Sequence, residues 1–217
     1  MEQWNDVLSY GPQFFSGLKV TIEVTLYSLL LSMVIGVAIA ILRVSGSKVL
    51  NAFGVAYVEF FQNTPLIIQV FFIYFGTPAL GIKLSGFACG TIGLAMYTGA
   101  YIGEVFRAGI QAVPKGQMEA ARSSGMSYLQ AMGYVVLPQA VKIVLPPLTN
   151  QVVNMVKNSA ILSTIVVADL MYETYRIASE TFIIFEVFIF AALLYLVITV
   201  PLSTVANLLE QRLRRSS

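Results

Sequence analysis

The charged residues of this chain stand in clusters, and the gaps between clusters are long enough to cross a lipid bilayer. The run LLLSMVIGVAIAIL, for example, has no charge and is followed closely by Arg43, Ser45, Gly46 and Lys48. Crossing about 30 Å of hydrocarbon takes about 20 apolar residues at roughly 1.5 Å of helix each. Composition agrees, with 11% of residues charged and 57% apolar, against roughly 25% charged in a soluble domain. Most of the surface therefore does not face water. No segment resembles a detachable soluble domain. The expectation is an all-α integral membrane protein, a single membrane domain over residues 1–217.

Five transmembrane helices are predicted, over about 18–42, 55–75, 87–106, 134–156 and 182–208. The second contains Glu59 and the polar run Gln62-Asn63-Thr64-Pro65, and the fourth contains Pro138, Pro146 and Pro147. A polar stretch separates the third and fourth. A second one follows the fourth and holds a moderately apolar piece over 160–170. Orientation follows from Lys and Arg in the loops. Arg43, Lys48, Arg107, Lys115, Arg122, Arg212, Arg214 and Arg215 fall on one side; Lys19, Lys83, Lys157 and Arg176 fall on the other. The excess predicts an outside N-terminus and a cytoplasmic C-terminus. The N-terminal MEQWNDVLSY lacks the basic start and short apolar core of a signal peptide, so the first span is expected to stay in the mature protein.

Several chemistries are excluded. There is no histidine, so Ser-His-Asp and Cys-His catalysis and histidine-ligated metals are ruled out. A single cysteine, Cys89, allows no internal disulfide. A net charge of +2 gives no reason to expect a nucleic-acid partner. No G-x-x-x-x-G-K-[ST] phosphate loop is present, so any nucleotide belongs to another chain.

The most informative stretch is the loop between the third and fourth spans. Residues 114–139 read PKGQMEAARSSGMSYLQAMGYVVLPQ. Pro114 and Gly116 are breakers, and 117–124 reads as a short helix of good formers. Glu119 sits in its first turn, where the helix dipole favours an acid. Ala120 and Ala121 present a small surface that a partner can approach. Gly125 is placed to end the helix in a left-handed cap. Taken alone, this reads first as an ordinary amphipathic connector. Its spacing, however, resembles the EAA loop of type I ABC importer permeases. Glu119-Ala120-Ala121 is followed after three residues by Gly125, then by Val135, Leu137 and Pro138 where that pattern has an apolar residue and L-P.

The likeness extends over about 17–170 and is closest to the polar amino acid branch. Glu59 to Leu66 reads EFFQNTPL, resembling that branch's second-span motif; Glu104 to Ile110, EVFRAGI, resembles its run into the loop. One departure is visible: after Lys157 the branch often has an acid or a hydroxyl residue and then Ser-Leu, whereas this chain has Asn158-Ser159-Ala160-Ile161.

The resemblance implies a bacterial cytoplasmic-membrane permease that pairs with a second permease, identical or not. It implies docking to ABC ATPase subunits through a cytoplasmic coupling loop over 114–127, with Gly116, Glu119, Ala120, Ala121 and Gly125 as coupling residues. It also implies delivery of solute by an extracytoplasmic amino-acid-binding protein. ATP and magnesium belong to the ATPase, and this chain is expected to hold no cofactor or metal.

Polar residues inside the spans suggest a path, because ionisable groups in hydrocarbon usually face a partner or a cavity. Thr64-Pro65 interrupts a helix, and Gln69 lies one turn on. Tyr97 and Tyr101 share a helical face with Glu104. Asn150, Asn154 and Asn158 repeat every four residues, with Met155 beside them. The expected path is lined by Thr64, Gln69, Tyr97, Glu104, Asn154, Met155 and Asn158. Its cargo is expected to be a polar L-amino acid, with the Glu104 charge favouring a basic one. The plainer alternative is interhelical hydrogen bonding, and for Glu59 and Glu104 pairing with Arg43 or Arg107. Rival classes are a channel or secondary transporter without ATP, and a membrane enzyme; neither needs a docking helix of this spacing.

Overall fold

The computed structural model describes residues 2–215, and the architecture there is entirely helical. Ten α-helices follow in order: α1 Glu2–Ser9, α2 Gly11–Val44, α3 Lys48–Asn63, α4 Leu66–Ala79, α5 Gly86–Ala112, α6 Lys115–Ser123, α7 Tyr128–Ala131, α8 Leu137–Asn158, α9 Leu170–Thr181 and α10 Phe185–Arg215. A π-helical turn, Met132–Val136, leads into α8, and a 3₁₀ stretch, Ser159–Ile165, continues from it.

The centre of the molecule is the contact between α2 and α5. On α2 the buried side is small and hydroxylated: Thr21, Thr25, Ser28, Ser32 and Gly36. Its outward side carries exposed Leu26, Leu30, Val34, Val37 and Ile41. This is the reverse of a soluble amphipathic helix. It is what lipid demands, because tails solvate leucine as well as protein does, and helices associate through small residues that let backbones approach. On α5, Gly99 receives Ile35 of α2 and Gly103 receives Ile39, while Gly36 of α2 receives Ile102. A second glycine spacing on α5 serves another neighbour. Gly86 lies against the Ile165 carbonyl and Gly90 against Leu162 of the 3₁₀ stretch.

Among the described residues, three runs are long and apolar enough to cross a membrane: α2, the segment Tyr128–Ile165, and α10. The pair α3–α4 adds a fourth if its halves make one broken span. Helix α5 has 27 residues, about 40 Å at 1.5 Å each. Gly, Ala, Thr and Tyr lower its hydropathy because most of its sides meet protein and not lipid.

Each predicted span overlaps a helix, but the boundaries shift. Helix α2 starts at Gly11, ahead of the apolar run, with Pro12 in its first turn. Lys19 and Glu23 form an exposed i,i+4 pair at 3.7 Å, so the early charges do not stop it. No continuous helix covers 55–75. Helix α3 starts at Lys48, capped by Ser47, and the chain bends by 102° between α3 and α4. Proline 65 lacks an N–H and disfavours helical geometry at Thr64, which is extended at φ −110°, ψ 133°. Only then does α4 begin. The moderately apolar piece after α8 is no loop. It winds as 3₁₀ helix to Val166, which adopts a left-handed φ of 60°.

Candidate functional site

The 114–127 loop folds as its residues dictate. Pro114 precedes α6, whose polypeptide KGQMEAARS begins two residues earlier than the sequence spacing suggested. Gly125 has φ +88°. The Met126 N–H donates to the Ala121 carbonyl at 3.2 Å and the Gly125 N–H to the Arg122 carbonyl at 3.1 Å. This pair of bonds is the Schellman ending, which needs a residue free to take positive φ. Arg122 reinforces it by donating to the Met126 carbonyl at 2.8 Å.

The two alanines then part company. Ala120 is exposed with Glu119 and Gly116, while Ala121 is 7% exposed and turned into the chain. On that inner side, Met118 packs with Met132 against Val113, Val136 and Ala140. The expectation that both alanines face a partner is corrected for Ala121. The 100° turn between neighbouring positions leaves Ala120 outward and carries Ala121 to the inner side.

Helix α6 borders a cleft of about 610 Å³ between the ends of α2 and α5, lined by Arg43, Ser45, Asn51, Gln111, Lys115 and Met118 among others. Beside the cleft lies the ionic centre of the molecule. Glu104 accepts from Arg43 Nε at 2.8 Å and from Arg107 at 2.7 Å, one carboxylate oxygen each. The three side chains are 17–26% exposed. Asn51 donates to the Arg43 carbonyl at 2.8 Å, which ties the start of α3 to the same corner. Glu59 instead accepts from its own neighbour Asn63 at 2.8 Å. The argument that Glu104 offers a free negative charge to a cationic solute therefore does not hold. Two guanidinium groups already surround it.

At the α3–α4 break, Gln69 is 4% exposed and donates to two carbonyls, Phe61 at 3.0 Å and Thr64 at 2.9 Å. These belong to the last turn of α3 and its cap, where a helix leaves carbonyls unpaired. Gln69 thus staples the bend. Thr64 is half-buried, its hydroxyl donating to the Phe60 carbonyl at 2.7 Å. Tyr97 and Tyr101 hydroxyls meet at 3.2 Å, and Tyr57 donates to the Met96 carbonyl at 2.9 Å. Tyr57 completes this polar wall from α3. Sequence reading missed it because a tyrosine in an apolar run usually reads as an interfacial anchor.

On α8, Asn150 and Asn154 are exposed and Asn158 is half-buried, while Met155 is 0% exposed. Met155 packs in the central cluster with Leu66, Val70 and Leu94, and Tyr97 packs against that cluster. Of the seven predicted path residues, the structure joins Thr64 to Gln69 and packs Tyr97 against the cluster that holds Met155. Glu104 lies in the separate ionic corner, and Asn154 faces outward. Met155 presents no surface.

The chain is similar to known proteins. The chain is 51% identical over 203 residues to the probable glutamine ABC transporter permease protein GlnM of Bacillus subtilis (strain 168), covering 94% of each chain. It is 38% identical to a putative glutamine transport system permease protein, GlnP, of Rickettsia bellii (strain RML369-C), covering 95% of this chain and 97% of that one. Among solved structures, a chain from a crystal structure of an amino acid ABC transporter with histidines matches with a TM-score of 0.89 and 40% identity. That match covers 94% of this chain and 96% of the other. The family described as binding-protein-dependent transport system inner membrane component matches residues 32–215, from the middle of α2 through α10. The chain belongs to that family of ABC transporter permeases.

Proposed function

We propose that this chain is the permease subunit of an importer for polar L-amino acids, with glutamine a better candidate than a basic residue. ATPase subunits dock on α6, a second permease copy or homologue completes the path, and an extracytoplasmic binding protein delivers the solute. The observation that carries the path is the asparagine stripe of α8, exposed at Asn150 and Asn154 and half-buried at Asn158 on the single chain. An amide moved from water into hydrocarbon without a partner costs about 2–7 kcal/mol. A stripe of three therefore belongs against water or protein, not acyl chains. Asparagine both donates and accepts, which suits a solute carrying an ammonium and a carboxylate. The glutamine reading is supported by the names of the relatives and by the compensated state of Glu104.

Uptake into vesicles reconstituted with the cognate ATPase and binding protein tests the substrate. Glutamine uptake is expected to exceed arginine uptake. Glu104→Gln is expected to lower both to a similar degree, because it strands two arginines and does not remove a solute contact. Removing one partner of a buried ion pair costs 3–5 kcal/mol and of an exposed pair under about 1. A half-buried cluster should lie near 2 kcal/mol. Loss confined to arginine would instead restore Glu104 as a selectivity residue.

The five spans and an outside N-terminus are part of the same proposal. Cysteines introduced at residues 5, 81 and 175 should react with an impermeant thiol reagent in intact cells, and those at 46, 117 and 215 should not. The native Cys89 is buried and should stay silent. External labelling at 117 would put the docking helix on the wrong side and end the proposal.

A further inference from the structure

We propose that Asp169 is a buried proton site that latches α9 to α2 and α10, and that loss of its proton loosens this corner. Asp169 is 0% exposed and caps α9, its Oδ1 accepting from the Tyr172 N–H at 2.9 Å. Its other oxygen, Oδ2, is buried with no hydrogen-bond partner within the chain. A charged carboxylate would leave that oxygen uncompensated, whereas a proton there turns it into a donor. Buried polar groups border this corner. The Tyr195 hydroxyl of α10 is buried beside Thr21 and feels the charge of Asp169. The Gln13 Oε1 of α2 is buried and unpartnered as well, on the helix face that continues through Gly17 and Thr21.

That face of α2 is fitted to the cap. A Cβ at Gly17 would meet the Asp169 carbonyl at 2.8 Å, and Thr21 Oγ1 accepts from the Leu170 N–H at 3.1 Å. Backbone and side chain at 169–170 thus leave no room for water to solvate a charge. Burial pushes the Asp169 carboxyl up to about 7, against three backbone bonds that act the other way. The only charge facing it from α9 is Glu173, which adds to the rise and is itself held by Arg176 at 2.7 Å. From α10 the titratable group is Tyr195, and on α2 Lys19 and Glu23 pair with each other on the exposed side.

The sign follows. In the closed corner the carboxyl titrates near 7, and in an opened, hydrated corner it returns toward about 4. Opening therefore releases a proton. Below about pH 4 the contribution is constant. Between there and 7 each pH unit favours opening about tenfold, and above 7 the effect levels off. Thr21 and the Arg43 corner are 22 residues apart on α2, roughly 33 Å at 1.5 Å each. The latch is thus at the end of the molecule opposite α6, the outer end on the proposed orientation.

Hydrogen exchange of the full chain in lipid nanodiscs tests this. After correction for intrinsic exchange, protection of peptides over 170–181 is expected to fall about tenfold per unit from pH 5 to pH 7 and then flatten. Peptides from the middle of α5 should show no such step. Asp169→Asn keeps the cap and cannot titrate, so its profile should be flat. A flat wild-type profile, or the same slope in Asp169→Asn, overturns the proposal. Should that variant fold poorly, infrared spectroscopy of the wild type decides. A protonated carboxylic acid absorption present at pH 6 should vanish by pH 8, and its absence at pH 6 is equally fatal.

Discussion

A Gly103→Leu chain is expected to be lost from the folded membrane fraction altogether. A Cβ at Gly103 would lie 2.6 Å from Ile39 Cγ2 and 3.4 Å from the Gly36 carbonyl, before any leucine branch is added. The neighbour cannot move aside easily. Ile39 is β-branched, with essentially one side-chain rotamer in a helix, and Gly99 holds Ile35 in the same way one turn earlier. Inserting methylenes into a well-packed core costs about 1–3 kcal/mol when side chains can adapt. Here the backbone of two helices must separate, so the cost should reach or exceed the top of that range. With total stabilities of about 5–15 kcal/mol, such a loss at the central contact is enough to unseat the fold. Size-exclusion chromatography of detergent extracts reads this directly. Gly76→Leu is the control, since a Cβ there meets nothing within 4 Å. A Gly103→Leu chain that elutes and melts like the parent would mean that the α2–α5 contact is not the core of this molecule.

Helix α6, the proposed docking element, should give the second large effect, and a different one. Ala120→Arg places a charge on an exposed face, so the chain should insert and fold normally. Against a docked ATPase the same arginine must be desolvated without a partner. That costs several kcal/mol, so about 3 kcal/mol would weaken association on the order of a hundredfold. Ala121→Arg should instead destabilise the permease itself, because Ala121 is turned inward. Gly125→Val is intermediate. It forces a β-branched residue to φ +88°, costing roughly 1–2 kcal/mol, and should misplace α6 with little effect on insertion. Pull-down of the ATPase from solubilised membranes, alongside thermal unfolding of the permease alone, separates the three. Unchanged ATPase recovery with Ala120→Arg would show that α6 is not the docking element.

The helical membrane architecture could be read from charge spacing alone, since about 20 uncharged apolar residues have few alternatives to a spanning helix. Helix α6 and its cap are also readable, because Pro114 and Gly125 act locally. What the sequence did not reveal depends on which way a side chain turns. Gln69 and Met155 both sit beside an interrupted or polar stretch, yet one staples the bend at Phe61 and Thr64 and the other fills the core. Glu104 was seen with its two possible partners, Arg43 and Arg107, but only three dimensions show that both bind at once. The 102° bend was equally out of reach. Thr64-Pro65 announces a break, whereas its angle depends on Gln69, one turn later, holding the freed carbonyls.

The central claim is that this chain moves a polar amino acid only when a docked ATPase hydrolyses ATP. Vesicles containing the permease and its ATPase, with the binding protein outside and labelled glutamine as cargo, test it most directly. Uptake is predicted to require ATP inside, to fall to background with a non-hydrolysable analogue, and to be lost in Ala120→Arg. Equal uptake with and without ATP would contradict the account and point to a channel or secondary transporter instead.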